Sequence, residues 1–273
     1  MWAEMLGKGG RLCQEAKSGA LRCPLLVRPT SEDVLTGEIF EQLHVIAPRW
    51  WLPEFLNVAL GLEFFRRQVY RRFRVELWKN RPPYPRRLLP WNEGSTQVDV
   101  TITWENPPTT IFVEMKFGSK LSPKTSTDNG QHGFPSDQLI RNLRVGLLEC
   151  GWFDEQGLIT RVPRQFRAIV FAPKRSTPEV GHYQCLSNVL DAIPHSNKLR
   201  KPLPSPLVGE VAFSEFTSIL ERNARFMTRC ERLIADQLCE YLNFKSLQLR
   251  NELESRTQTR KLLLKNDPSR ETA

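Results

Sequence analysis

A carboxylate and an ammonium two residues apart, Glu114 and Lys116, interrupt an otherwise apolar run, Ile111-Phe112-Val113-Glu114-Met115-Lys116-Phe117. Side chains alternate across a strand. The run therefore predicts a strand with Ile111, Val113, Met115 and Phe117 on a core face and Phe112, Glu114 and Lys116 on an open one. A second predicted strand, over residues 98–103, turns Val98, Val100 and Ile102 inward and Asp99, Thr101 and Thr103 outward. If the two strands pair, Asp99, Glu114 and Lys116 converge. Two carboxylates can hold a hard divalent cation such as Mg²⁺ (or Mn²⁺), which binds oxygen and keeps part of its water shell. Such an ion acidifies a water and neutralises charge on a phosphoryl oxygen. An adjacent lysine can polarise the attacking water and offset developing charge. Glu-x-Lys on a strand is also a common solvated pair, so the surrounding elements have to decide between the two.

Downstream, Pro135-Ser136-Asp137 opens a predicted helix with Ser136 as its N-cap. Leu139, Leu143, Leu147 and Cys150 form its buried stripe, with Gln138, Arg141 and Asn142 on the flank. Upstream, Thr30-Ser31-Glu32-Asp33 opens another helix, with Thr30 and Asp33 reading as a capping box. Leu35, Ile39, Leu43 and Ile46 make its apolar stripe. Glu32 lies within that stripe and Glu38 on its flank; a first-turn acid is also what the helix dipole favours. This helical region is expected to reach about residue 67, bent near Pro48 and Pro53. A first strand is expected over 69–78, then a proline-rich connection. Asn106-Pro107-Pro108 turns the second strand into the third. Further strands are expected over 166–171 and within 206–213.

The spacing Asp99-x14-Glu114-x-Lys116 resembles the PD-(D/E)XK phosphodiesterase superfamily, to which many restriction-type nucleases belong, and its prokaryotic members in particular. The order of elements is similar too: helix with Glu, strand, strand with Asp, strand with Glu-x-Lys, helix with Gln. Gln97-Val98-Asp99 stands where the family name has Pro-Asp, a position where proline is commonly absent. The resemblance covers about residues 30–215. It implies an α/β fold, a restriction endonuclease-like mixed β-sheet flanked by helices. It also implies metal-dependent hydrolysis of phosphodiester bonds in nucleic acid, with DNA preferred. Asp99 and Glu114 would bind Mg²⁺ or Mn²⁺, and Lys116 would steady the attacking water. Gln138 would face the metal site, and Glu32 would reach it from the first helix, with Glu38 as its alternate. A degenerate member that binds nucleic acid or a partner protein without cutting would share this fold.

The chain has 273 residues and a net charge of +9, and a basic surface suits phosphate backbones. Arg66, Arg67, Arg71, Arg72 and Arg74 are interleaved with Tyr70 and Phe73, and the run continues through Trp78, Arg81 and Tyr84 to Arg87. This pattern fits either a phosphate track with stacking sites or a solvated face over core aromatics. Lys120, Lys124 and His132 lie in a polar loop after the Glu-x-Lys strand. Lys120, Lys124 and Arg141 join the candidate nucleic-acid contacts. The six cysteines include no closely spaced pair, so structural zinc is unsupported, and free thiols fit a cytoplasmic location. No apolar run reaches the ~18 residues of a membrane span. Neither a Walker loop nor a dinucleotide fingerprint is present. Residues 1–29 read as a loosely ordered arm and 216–273 as a C-terminal helical extension. Cys230, Leu233, Ile234, Gln237, Leu238, Tyr241 and Leu242 stripe that extension, which could pack back on the domain or make a homodimer or partner interface. Its basic tail is expected to fray.

Overall fold

Ser31 caps the first helix, α1 (Glu32–Leu43): its hydroxyl accepts from the Val34 N–H at 3.3 Å. The computed structural model describes residues 31–63, 69–83, 89–118, 134–153, 162–175 and 177–265, with 251–265 as backbone alone. The expected Thr30 cap lies outside these residues. The first helical turn opens at Glu32, which leaves the capping position to Ser31. Leu35, Ile39, Leu43 and Ile46 are all buried, as their spacing predicts. Pro48 opens a short 3-10 turn, Pro48–Trp50, and Pro53 lies in the first turn of α2 (Leu52–Leu60), where proline costs no hydrogen bond. Gly61, at φ 63°, ends α2 in the left-handed conformation that favours glycine.

Five strands form one sheet in the order β1-β2-β3-β4-β5. They are β1 (Arg71–Arg81), β2 (Thr96–Glu105), β3 (Thr109–Met115), β4 (Gln165–Ala172) and β5 (Val208–Ala212). The first three form an antiparallel meander, and β4 and β5 join parallel to β3. β1 runs to Arg81, past the expected end at Trp78, because β2 opens at Thr96 and pairs with it there. The result is a mixed α/β architecture with helices on both faces of the sheet.

One face packs Val100, Ile102, Ile111, Val113, Met115, Ile169, Phe171 and Val211 against α1, α2, α6 (Phe213–Asn223) and α7 (Arg229–Lys265). The other packs Phe112, Phe166, Ala168, Val170 and Val208 against α3 (Gln138–Glu149), α4 (Pro178–Tyr183) and α5 (Leu186–Asp191). The face of β3 expected to be open is therefore closed, with Glu114 2% and Lys116 8% exposed. Phe112 and its neighbours on β4 and β5 make that face apolar, and parallel strands are buried on both sides. The alternation of β2 also breaks. Val98 packs with the second cluster and Val100 with the first. The break falls at Asp99, where the ladder to β3 has just ended at Val100↔Val113. Trp78 of β1, between the pairs Leu77↔Val100 and Lys79↔Val98, kinks to φ 50°.

The expected boundary at 215/216 falls inside α6. Phe216, Ile219, Leu220, Ala235, Leu238, Cys239 and Leu242 all belong to the first core cluster. The predicted stripe of α7 is rotated: Cys230, Leu233 and Gln237 are exposed, while Ala235 and Cys239 are buried. Helical backbone continues to Lys265. Among the described residues no helix is long and apolar enough to cross a membrane.

Candidate active site

Beyond Val113, β3 has lost its ladder to β2 but still has N–H groups pointing that way. Even-numbered amides face β4, as Lys116 N shows by donating to Phe171 O at 2.9 Å. Odd-numbered amides face the side that β2 has left. Two side chains replace the missing strand there. Asp99 Oδ2 accepts from Met115 N at 3.0 Å, and Glu32 Oε1 accepts from Phe117 N at 2.7 Å. An unpaired buried backbone donor is costly, so these two bonds hold both carboxylates along the strand edge.

Lys116 Nζ lies at the centre. It is 2.8 Å from Glu114 Oε1, 3.6 Å from Glu32 Oε2 and 3.5 Å from Gln138 Oε1. Glu32 and Gln138 are the first residues of α1 and α3. Two helix N-termini, one from each face of the sheet, therefore point their partial positive charge at the C-terminal end of β3. Glu114 and Lys116 form the floor, while Glu32, Asp99 and Gln138 are half-buried around it. Asn142, one turn along α3 from Gln138, donates to Glu114 Oε2 at 3.1 Å. Thr96 of β2 donates to the Asn142 Oδ1 at 3.1 Å.

Burial, then the Glu114 charge, push the inward-turned Asp99 carboxyl well above the usual carboxylate range, against the pull of Lys116 and the Met115 N–H. Burial also raises Glu114, with Lys116 opposing. For Lys116 burial acts to lower the pKa, but Glu114 and then Glu32 outweigh it, and the ammonium is held more firmly than a free lysine.

The structure thus brings together Glu32, Asp99, Glu114, Lys116 and Gln138. Glu38 instead sits near Tyr241, whose pKa is raised by burial and then by the Glu38 charge, so Glu32 is the first-helix acid at this site. The helix cap is Asp137 rather than Ser136. Asp137 Oδ1 accepts from Ile140 N at 2.9 Å, and its Oδ2 accepts from the Tyr183 hydroxyl at 2.6 Å. Ser136 donates to Glu93 instead. Fully buried Arg144 donates to Ala192 O and Pro135 O, which anchors the same end of α3. Thr96 and Asn142 were not singled out by the sequence. The only signal for Asn142 was its place on the Gln138 flank.

The candidate nucleic-acid contacts are not gathered in the same way. Arg71, Arg72 and Arg74 are exposed at the start of β1, opposite Thr103 to Glu105. At ~3.3 Å per residue that is about 13 to 20 Å along β2 from Asp99. Arg141 is only 9% exposed. Arg81 is buried against Glu149, Thr101 and the Phe112 ring. Tyr70 and Phe73 pack on Trp104 and Trp51. Arg66, Arg67, Lys120, Lys124, His132, Tyr84 and Arg87 lie outside the described residues.

Among the described residues no three His, Cys, Asp or Glu side chains form a ready metal cage. Mg²⁺, however, needs only one or two carboxylates besides its waters. Asp99 and Glu114 can supply two carboxylate oxygen donors. Glu114 Oε1 is buried and faces the Lys116 ammonium at 2.8 Å. The donor set fits a small hard dication. No family model matches this chain, and no curated protein or solved structure matches it.

Proposed function

We propose that this chain is a metal-dependent phosphodiesterase with a restriction endonuclease-like fold of the PD-(D/E)XK kind, cutting nucleic acid, with DNA as its preferred substrate. One observation carries the reading. Glu32, Glu114 and Gln138 meet around the Lys116 ammonium at the end of β3, and Asp99 from β2 is held beside them on Met115 N–H, so four separate elements converge. The meander followed by a parallel strand supports it, because that topology sets Asp99 beside the Glu-x-Lys strand.

Asp99 and Glu114 would hold Mg²⁺ or Mn²⁺, with Glu32 supporting. When bound, such an ion supplies an acidified water and neutralises charge on the phosphoryl oxygen. Lys116 orients the attacking water and offsets the negative charge that grows on the phosphoryl group. The Gln138 amide can position the same water or a phosphate oxygen. The N-terminal ends of α1 and α3 add a field that favours an anion at the mouth.

A second reading, a module that binds nucleic acid or a partner protein without cutting, is favoured by the absence of a three-ligand cage among the described residues. Incubating supercoiled plasmid with the protein in Mg²⁺, Mn²⁺ or EDTA separates the two. Cleavage in either metal, lost in EDTA, is expected. Retardation of the DNA without cleavage in any condition would favour the binding module.

A further inference from the structure

We propose that Asn142, oriented by Thr96, is a positioning residue that commits Glu114 to presenting a single oxygen, so that the centre takes one divalent cation per chain. The inference rests on the metal-dependent reading above. A carboxylate that chelates one ion, or that bridges two through a separate oxygen for each, needs both oxygens. In this site one oxygen of each acid is already engaged by a hydrogen-bond donor. Met115 N–H takes Asp99 Oδ2, Phe117 N–H takes Glu32 Oε1 and Asn142 Nδ2 takes Glu114 Oε2. The oxygens left to the centre are Asp99 Oδ1, Glu114 Oε1 and Glu32 Oε2, and the last two already face Lys116.

Two of these donors are backbone and cannot be removed by substitution. The third is a side chain, and its direction is determined by chemistry. The Thr96 hydroxyl donates to Asn142 Oδ1 at 3.1 Å. That bond turns the amide so that only its NH₂ group can meet Glu114. Asn142 is 1% and Thr96 4% exposed, so solvent does not compete for either bond. Partners that orient metal ligands in this way typically change metal affinity by about 10- to 100-fold when lost.

The test is Mn²⁺ binding followed by calorimetry on the full chain without DNA, with melting in EDTA as a control for folding. Wild type should bind one Mn²⁺. Asn142→Ala should bind it ~10- to 100-fold more weakly. Thr96→Val should weaken binding in the same direction, and Thr96→Ser, which keeps the hydroxyl, should restore wild-type affinity. The Thr96 pair keeps the inference testable should Asn142→Ala fail to fold. Melting loss in EDTA with unchanged Mn²⁺ affinity in both Asn142→Ala and Thr96→Val would reduce the pair to a structural role and overturn the proposal. Two ions of similar affinity per wild-type chain would overturn it as well. No Mn²⁺ binding by wild type would remove both this inference and the metal-dependent reading, whereas binding that ignores Asn142 and Thr96 removes only this one.

Discussion

Replacing Lys116 with methionine keeps an unbranched stem only one atom shorter and removes the charge, and the structure allows the consequence to be worked out. At an effective dielectric constant of about 20, the pairs at 2.8 Å to Glu114 and 3.6 Å to Glu32 attract by about 6 and about 5 kcal/mol before desolvation. Deleting one partner of a buried pair costs about 3–5 kcal/mol, because the other charge is left unpaired. Glu114, 2% exposed, can limit that cost by taking up a proton. From an ordinary glutamate pKa of about 4.3, protonation costs about 3.7 kcal/mol at pH 7 and about 1.6 kcal/mol at pH 5.5. The ammonium does not add a pH dependence of its own in this range. Its folded pKa is raised, so its stabilisation is fully present below the ordinary lysine value of ~10.4 and fades only as pH rises through the higher folded value. Lys116→Met should therefore lower Tm by about 7–15 °C at pH 7 and by about 3–7 °C at pH 5.5, at roughly 2–4 °C per kcal/mol. Scanning calorimetry in EDTA reads both values. Plasmid cleavage at pH 7 should fall ~10²–10³-fold. An equal loss of Tm at both pH values, or none, would refute the claim that Lys116 neutralises Glu114, and undiminished cleavage would remove Lys116 from the chemistry.

Asp99→Asn keeps an acceptor for Met115 N–H but carries no charge. The folded pKa of Asp99 is raised, so its contribution to stability is full below the unfolded value of ~3.9 and is lost as pH rises through the folded one. In EDTA the variant should melt above wild type at pH 7, with the gap closing at pH 4, and should not cut; a lower Tm at pH 7 would contradict the electrostatics. Changing Arg71, Arg72 and Arg74 together to Gln should flatten the salt dependence of DNA binding by about one unit of slope per lost phosphate contact, with cleavage at saturating DNA unchanged. An unchanged slope would assign these exposed arginines to a solvated edge. Gly146→Ala would place a Cβ about 2.0 Å from the Phe166 ring, overpacking α3 on β4 at a cost of about 1–3 kcal/mol. Urea unfolding should show it, and unchanged stability would mean that α3 can shift on the sheet.

Much of the site was legible because its signals are local. Period-two alternation put Glu114 and Lys116 on one face of β3, and the 3.6-residue stripe of α1 directed Glu32 rather than Glu38 toward the core. The first residues of α1 and α3 were recognisable from capping chemistry, although the caps themselves, Ser31 and Asp137, are each one residue from where the motifs pointed. A cap is decided by which residue the first turn leaves at its edge, and several Ser, Thr and Asp side chains in a row compete for that place.

Local pattern alone determined which residues carry charge on β3, that its side chains alternate, and where α1 and α3 begin to within one residue. It could not determine that the charged face is closed. That depends on α3 crossing over Phe112, Phe166 and Val170, a contact between segments more than fifteen residues apart in sequence. Nor could it place Asp99, because the carboxylate turns inward only where β2 leaves β3 and Met115 N–H loses its strand partner. Thr96 and Asn142 became visible only once β2 and α3 were seen side by side. Strand alternation is a property of one segment, whereas burial of a charge and the partner that satisfies it are properties of the assembled chain.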